Sequence, residues 1–469
     1  METEPTQKPV DAKSAKRADK ASKNIAKIPT RKHLIKFAAP TIISMMIMST
    51  FGIVDGIFVS RLIDPFALSA VGLVWPFMSF VVAIGFMLGV GGNALVAKMI
   101  GEKRVREARQ IFSLISAVAF IASILVAMIG FFAPYFILNI LGVDDFIRPM
   151  AIEYMTPFVF FLPTAVLGMV LQQFLITAGK AHYSAVMALF SGFISAGLNY
   201  VFIYQMEMGL RGAALATSAG FTLPAVVGIV YFTFARKGDL YFVMPRFHLR
   251  ALRRLGRSCV NGASEMVTSL ATSVTAVLMN NKLMSMEGAG PEAVAASAIM
   301  WAGMGIFSSI FIGYSSGIAP IISYNYGKKD EKNLKRVFKN SLQIIAVLAV
   351  LSTVLALSTV DVLTFIYDVP QSSDIHRLVR VGYVFITCTF LLLGFNMFTS
   401  MFFTALNNGV VSSILALFNM FIFYVIALYS LSPFFGLYGV WGAIPVADTL
   451  QIFLSIFVLM KMRKRYGYA

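Results

Sequence analysis

Twelve apolar runs follow one another along the chain, at roughly 34–59, 67–98, 111–140, 149–179, 183–204, 212–235, 259–286, 292–326, 336–366, 375–406, 409–431 and 437–462. Each reaches the about 20 residues that a helix needs to cross the hydrocarbon of a bilayer. Lipid offers no water to unpaired backbone groups, so a spanning segment must be a helix or part of a closed barrel. The period-2 alternation of a barrel strand is absent, which predicts an all-α membrane protein with twelve transmembrane helices. Composition agrees: 58% of the residues are hydrophobic and 13% charged, against about 45–50% and about 25% in soluble domains.

The formal net charge of +17 invites a nucleic-acid reading, and the placement of the charges removes it. With the N-terminus in the cytoplasm, 33 of the 39 Lys and Arg fall on inward segments. Arg61, Arg148, Arg211, Lys282, Arg377 and Arg380 are the outward ones. This is the bias of a multi-pass membrane protein with both termini cytoplasmic. Residues 1–32 read as a basic, disordered tail able to touch anionic headgroups. Cys259 and Cys388 lie in apolar runs, so no disulfide framework is implied, and no Cys/His cluster has metal-ligand spacing.

The chain repeats itself. Gly91 and Gly101 match Gly317 and Gly327 at one offset, and Gly209-Leu210-Arg211-Gly212 matches Gly436-Leu437-Tyr438-Gly439 one residue further on. Thr177-Ala178 lines up with Thr404-Ala405. Six helices return the chain to its starting side, so the halves repeat in parallel about an axis along the membrane normal, with a binding site expected between them. The division is an N-lobe at 33–235, a cytoplasmic linker at 236–258, a C-lobe at 259–462 and a short cytoplasmic end at 463–469. A wall rich in the 26 Met and 42 Phe would suit a cavity between the lobes for varied apolar ligands.

Ionisable side chains within the spans are scarce, and each is a functional hypothesis. Asp55 lies in helix 1, Glu265 in helix 7 and Asp448 in helix 12. Such a carboxyl can bind a proton, coordinate Na⁺ or attract a cationic substrate. Asp361 and Glu153 sit nearer span ends and read as interfacial. Gln172, Asn199, Asn280 and Asn396 could line a cation or substrate site, although interhelical hydrogen bonds explain such amides equally well. Pro40 removes a backbone donor within helix 1 and marks a candidate hinge. Gly313-Tyr314-Ser315-Ser316-Gly317 fits G-x-S-x-G on paper, but no histidine lies deep in a span to act as base. No phosphate-binding G-x-x-x-x-G-K-[ST] loop exists. These features predict a transporter rather than an enzyme.

Val54-Asp55-Gly56-Ile57-Phe58-Val59, the Gly-Glu-Lys-Arg turn at 101–104, Met208-Gly209-Leu210-Arg211-Gly212-Ala213-Ala214 and Pro320-Ile321-Ile322-Ser323-Tyr324-Asn325-Tyr326-Gly327 together resemble the multidrug and toxic compound extrusion (MATE) family over roughly residues 33–460. The likeness is closest to its bacterial MepA-like subgroup. It implies two pseudo-symmetric six-helix lobes in a V, the MATE/MOP-type fold. It also implies export of amphiphilic, often cationic, drug-like compounds in exchange for H⁺ or Na⁺. Under the resemblance Asp55 matches the acidic residue of the N-lobe cavity, Pro40 the proline where helix 1 bends, and Glu265 the helix 7 glutamate of cation coupling in NorM-like members. Asn199 stands where DinF-like archaeal relatives carry a second aspartate, and the helix 10 aspartate of NorM-like members has no counterpart between 375 and 406. The expectation is a monomeric secondary antiporter among the lipids of the bacterial cytoplasmic (inner) membrane. Its only requirement would be an H⁺ or Na⁺ gradient, with Na⁺ held at Asp55 or Glu265 if that is the ion. The alternative is a lipid-linked saccharide flippase of the same superfamily.

Overall fold

The structure, a computed structural model, describes residues 27–63, 65–140, 145, 147–234, 238–245, 249–286, 290–367 and 369–468. Most of the basic tail and parts of the linker (236, 237 and 246–248) lie outside these residues.

Among the described residues, twelve long helices account for the apolar runs. In the first half they are α1 (Arg31–Leu62), α2 (Pro65–Gly101), α3 (Val105–Phe132), α4 (Arg148–Thr177), α5 (Ala181–Asn199, continued by a π-helical turn at Tyr200–Gln205) and α6 (Gly209–Phe234). In the second half they are α7 (Leu249–Met284), α8 (Gly290–Gly327), α9 (Glu331–Ser358), α10 (Asp374–Ala405), α11 over 409–435 and α12 over 437–466. Ten stretches of the described residues are long and apolar enough to cross a membrane. The tenth, Gly409–Tyr466, is two rods, because Gly436 leaves helical geometry at φ 54° and ψ −130°. Helix α7 is the remaining rod. It begins at Leu249, so ten residues assigned to the linker are helical. Arg253 and Arg257 lie exposed there while Ala251 and Ser258 are buried, an amphipathic stretch that the charge count alone hid.

The repeat extends to backbone conformation. Gly209 and Gly436 both adopt positive φ, at 59° and 54°. The turns α2–α3, α4–α5, α8–α9 and α10–α11 close alike, each with a left-handed residue (Lys103, Gly179, Lys329, Asn407). Each is followed by an amide bonded five residues back, as Arg104 N–H to Met99 O at 2.9 Å and Asp330 N–H to Asn325 O at 3.0 Å. These are Schellman-type helix ends. They pair Gly179 with Asn407, one residue away from the register that the Thr-Ala dipeptides suggest.

Each half has its own apolar core, one holding Phe112, Phe158 and Phe174, the other Phe390, Trp441 and Met300. A third core straddles the halves, packing Leu34, Phe37, Val90 and Ile176 against Tyr314, Ile318, Phe402 and Tyr468. Contacts between the halves gather in the same region. A β-carbon on Gly262 would strike the Met87 carbonyl, and one on Gly91 the Ser258 carbonyl. Gly101 and Gly327 meet in the same way at Tyr324 and Lys98. The Glu107–Arg254 ion pair and a Ser316 to Gln173 hydrogen bond of 3.3 Å also join the halves. All of these lie on the half of the molecule that carries the basic turns. The lobes therefore form a V joined at the basic end. The G-x-S-x-G stretch belongs to this seam, with Gly313 against Ile42 and Gly317 against Ala38 and Thr41.

Candidate functional site

Asp55, half-buried on α1, is met by donors from two other helices. Asn199 Nδ2 on α5 donates to its Oδ1 at 2.7 Å, with Ser195 Oγ at 3.4 Å. Thr217 Oγ1 on α6 lies 2.9 Å from Oδ2 and 3.0 Å from the Ala213 carbonyl. Ser195 and Asn199 are four apart and so share one face of α5. Tyr154 of α4, buried, lies against Thr217. Asp55 also lines an N-lobe cavity of about 210 Å³ with Phe51, Val54, Leu189 and Phe193.

Thr217 has one hydroxyl hydrogen, with the Asp55 carboxyl and the Ala213 carbonyl both in reach and the Tyr154 hydroxyl beside it. With Asp55 ionised, that hydrogen must turn to Oδ2 and leave Ala213. With a proton on Oδ2, Asp55 donates to Thr217 and Thr217 donates to Ala213. The pocket can therefore satisfy both protonation states without moving a helix.

The C-lobe holds the other two acids. Asp448 on α12 is buried, and Asn396 Nδ2 on α10 donates to its carbonyl at 3.0 Å and its Oδ1 at 3.2 Å. Ser455 Oγ donates back to Asn396 Oδ1 at 3.3 Å, and Gln451 Nε2 reaches Ser455 at 3.4 Å. Asp448 lines a cavity of about 260 Å³ with Trp301, Met304, Met420 and Tyr424. Glu265 lines an adjoining one of about 80 Å³ with Asn396 and Gln451. Thr268, Met397 and Asn419 border both.

The remaining sequence candidates separate from these pockets. Gln172 donates to Ser44 Oγ at 3.0 Å, bracing α4 against α1. Ser44 lies eleven residues from Asp55, about 16 Å along the helix. Asn280 is exposed and borders neither C-lobe cavity, because fifteen residues of helix, about 22 Å, part it from Glu265. Helix α1 runs unbroken through Pro40. Asp361 and Glu153 face basic side chains instead, Arg380 at 3.9 Å and Arg211 at 3.7 Å. The Met and Phe content suggests one cavity between the lobes, yet each cavity described here lies inside a single lobe.

The sequence reading missed Thr217, Ser195 and the threonines of α7. Thr217 looks like helix filler in its Ala-rich run. Ser195 and Asn199, and Thr268, Thr272 and Thr275, carried a usable signal in their spacing of three and four.

The MatE family model matches residues 40–201 and again 266–429, once in each lobe. The chain belongs to the MatE family. As a MatE protein it is a transporter and not an enzyme. It is similar to the multidrug export protein MepA of Staphylococcus saprophyticus, at 24% identity over 92% of this chain and 94% of the relative. The Staphylococcus haemolyticus MepA is 25% identical over the same shares. Among solved structures it resembles the outward-facing conformation of a multidrug resistance MATE family transporter of the MOP superfamily, with a TM-score of 0.88 at 20% identity over 95% of this chain and 98% of the other. A second likeness is to a MOP superfamily transporter from Pyrococcus furiosus described by the reverse polarity of its binding pocket, at TM-score 0.86 and 19% identity over 96% and 99%.

Proposed function

We propose that this MatE protein is a secondary antiporter of the bacterial cytoplasmic membrane. It exports amphiphilic, cationic drug-like compounds as protons enter, and Asp55 is the coupling group. The observation that carries this reading is the Asp55–Thr217–Ala213 arrangement, in which one hydroxyl hydrogen serves two acceptors until a proton arrives on Oδ2. Inward movement of one charge supplies about 2.3 kcal/mol per 100 mV. Glu265 and Asp448, in adjoining cavities beside Trp301, Tyr424 and methionines, offer a cationic substrate both a carboxylate and aromatic faces. Rocking of the lobes would break the seam at Gly91 and Gly262 and expose the cavities to the other side.

The flippase alternative needs basic side chains at membrane depth to hold pyrophosphate. Among the described residues no Lys or Arg lines the cavities around Asp55, Glu265 and Asp448, which favours the drug reading. Proteoliposomes loaded with a fluorescent organic cation and given H⁺ and Na⁺ gradients separately test the proposal. Exchange driven by the H⁺ gradient alone supports it, and exchange driven only by Na⁺ assigns the coupling to Na⁺.

A further inference from the structure

Outside the membrane-depth cavities, one cavity of about 360 Å³ opens at the basic end of the N-lobe, between the start of α1 and the α4–α5 turn. Its volume falls in the range of small-molecule pockets, roughly 300–1,000 Å³. Its wall carries two cations, Lys27 before α1 and Lys36 on the first turns of α1, with the imidazoles of His33 on α1 and His182 on the first turn of α5 beside them. Among the described residues no Asp or Glu lines it, and neither lysine has an ion-pair partner. Phe37 lines it too, as do Gly179 and Ala181 at the uncapped start of α5, where Lys180 supplies no capping side chain. A helix start of this kind adds partial positive charge. Pro40 also lines the cavity and cannot donate to the Lys36 carbonyl one turn earlier.

The other lobe provides an internal control. By the pairing of Gly179 with Asn407, Lys180 corresponds to Asn408 and Ala181 to Gly409. Asn408 caps α11 through Val411 N–H at 3.4 Å. Gly409 lets α11 sit directly on the Val260 and Asn261 backbone, where a β-carbon would collide. The C-lobe thus caps and closes this corner, whereas the N-lobe leaves it uncapped, open and basic. On α5, Val186 and Phe190 follow His182 at four-residue spacing on one face, and both are exposed apolar side chains within a predicted span, facing lipid tails. Cations at the headgroup level beside an apolar stripe fit an amphiphile with an anionic head.

We propose that this corner is a binding site for one anionic phospholipid of the cytoplasmic leaflet. Its phosphate is held by Lys27, Lys36 and the start of α5, and its acyl chains lie along Val186 and Phe190. The site stands apart from Asp55 and does not depend on the transport reading.

The test is native mass spectrometry of the full chain, titrated with phosphatidylglycerol or phosphatidylcholine, with and without inorganic phosphate. Wild-type protein should retain phosphatidylglycerol over phosphatidylcholine, and added NaCl should weaken that preference. A lysine near a membrane surface contributes about fivefold to anionic-lipid affinity, so Lys27→Gln/Lys36→Gln should lose about tenfold or more. The charge-matched Lys332→Gln/Lys335→Gln pair on α9 should lose nothing. Equal retention of the two lipids, a salt-independent preference or equal losses in the two variants would overturn the proposal. Full displacement of the lipid by inorganic phosphate would overturn the lipid assignment in favour of a free anion. The lipid and salt comparisons use wild-type protein, so they decide the matter even if a variant misfolds.

Discussion

The Asn199 amide of α5 donates to the Asp55 carboxylate of α1 across 2.7 Å, tying a first-helix acid to the helix that ends in a π-turn. An amide beside a carboxyl hydrogen-bonds without adding a second negative charge, so one titratable group serves this pocket. Asp55→Glu should therefore keep part of the exchange activity, since it retains a carboxyl beside Asn199. Exchange rates in proteoliposomes at matched protein density check this.

Thr217→Val removes the hydroxyl that can switch between Asp55 and Ala213 while keeping the side-chain volume. Exchange should fall at least about tenfold, which corresponds to about 1.4 kcal/mol. Thr217→Ser should restore most of it, because serine carries the same donor and acceptor. Equal activity of the valine and serine variants would separate Thr217 from coupling.

Gly262→Val places a branched side chain against the Met87 carbonyl. Overpacking costs about 1–3 kcal/mol, and it falls on the conformation in which the basic ends touch. The population should shift toward the conformation open at the basic end by about fivefold or more. Spin labels on Arg106→Cys and Lys335→Cys, in a background lacking Cys259 and Cys388, should move apart relative to the Gly262 protein.

Asp330 caps α9, accepting from Asn333 N–H at 3.1 Å. Partial burial opposes its charge, but the bonds from Asn333 and Lys328 win and hold the carboxyl below its ordinary value. A lowered value means the cap stabilises the fold at neutral pH and loses that contribution as pH falls below about 4. Asp330→Ala should cost about 1 kcal/mol at pH 7 and progressively less in acid. Thermal unfolding of both proteins across that range measures the difference.

Much of the architecture was legible in the sequence, because length, apolarity and charge bias act on whole segments rather than on single contacts. The twelve runs became twelve rods, and the start of α7 was misplaced only because Arg253 and Arg257 read as linker while lying on an exposed helical face. The Thr-Ala dipeptides misled by one residue, since the turn is fixed by which residue can adopt left-handed geometry, Gly179 or Asn407. Asp55 and Asn199 were visible as rare polar groups in apolar runs. Thr217 was not, because a hydroxyl in an Ala-rich helix carries no sign of what lies across the lobe. Gln172 and Asn280 looked like site residues for the converse reason: sequence reports that an amide is present, and only packing decides whether it braces helices or faces a cavity.

The most direct test of the coupling claim is H⁺-gradient-driven export by the Asp55→Asn protein in proteoliposomes, with folding verified by its thermal unfolding profile. Asparagine keeps the shape and hydrogen-bonding capacity of the carboxyl but carries no exchangeable charge. A folded protein without gradient-driven export is the expected result, and export at the wild-type rate would contradict the account.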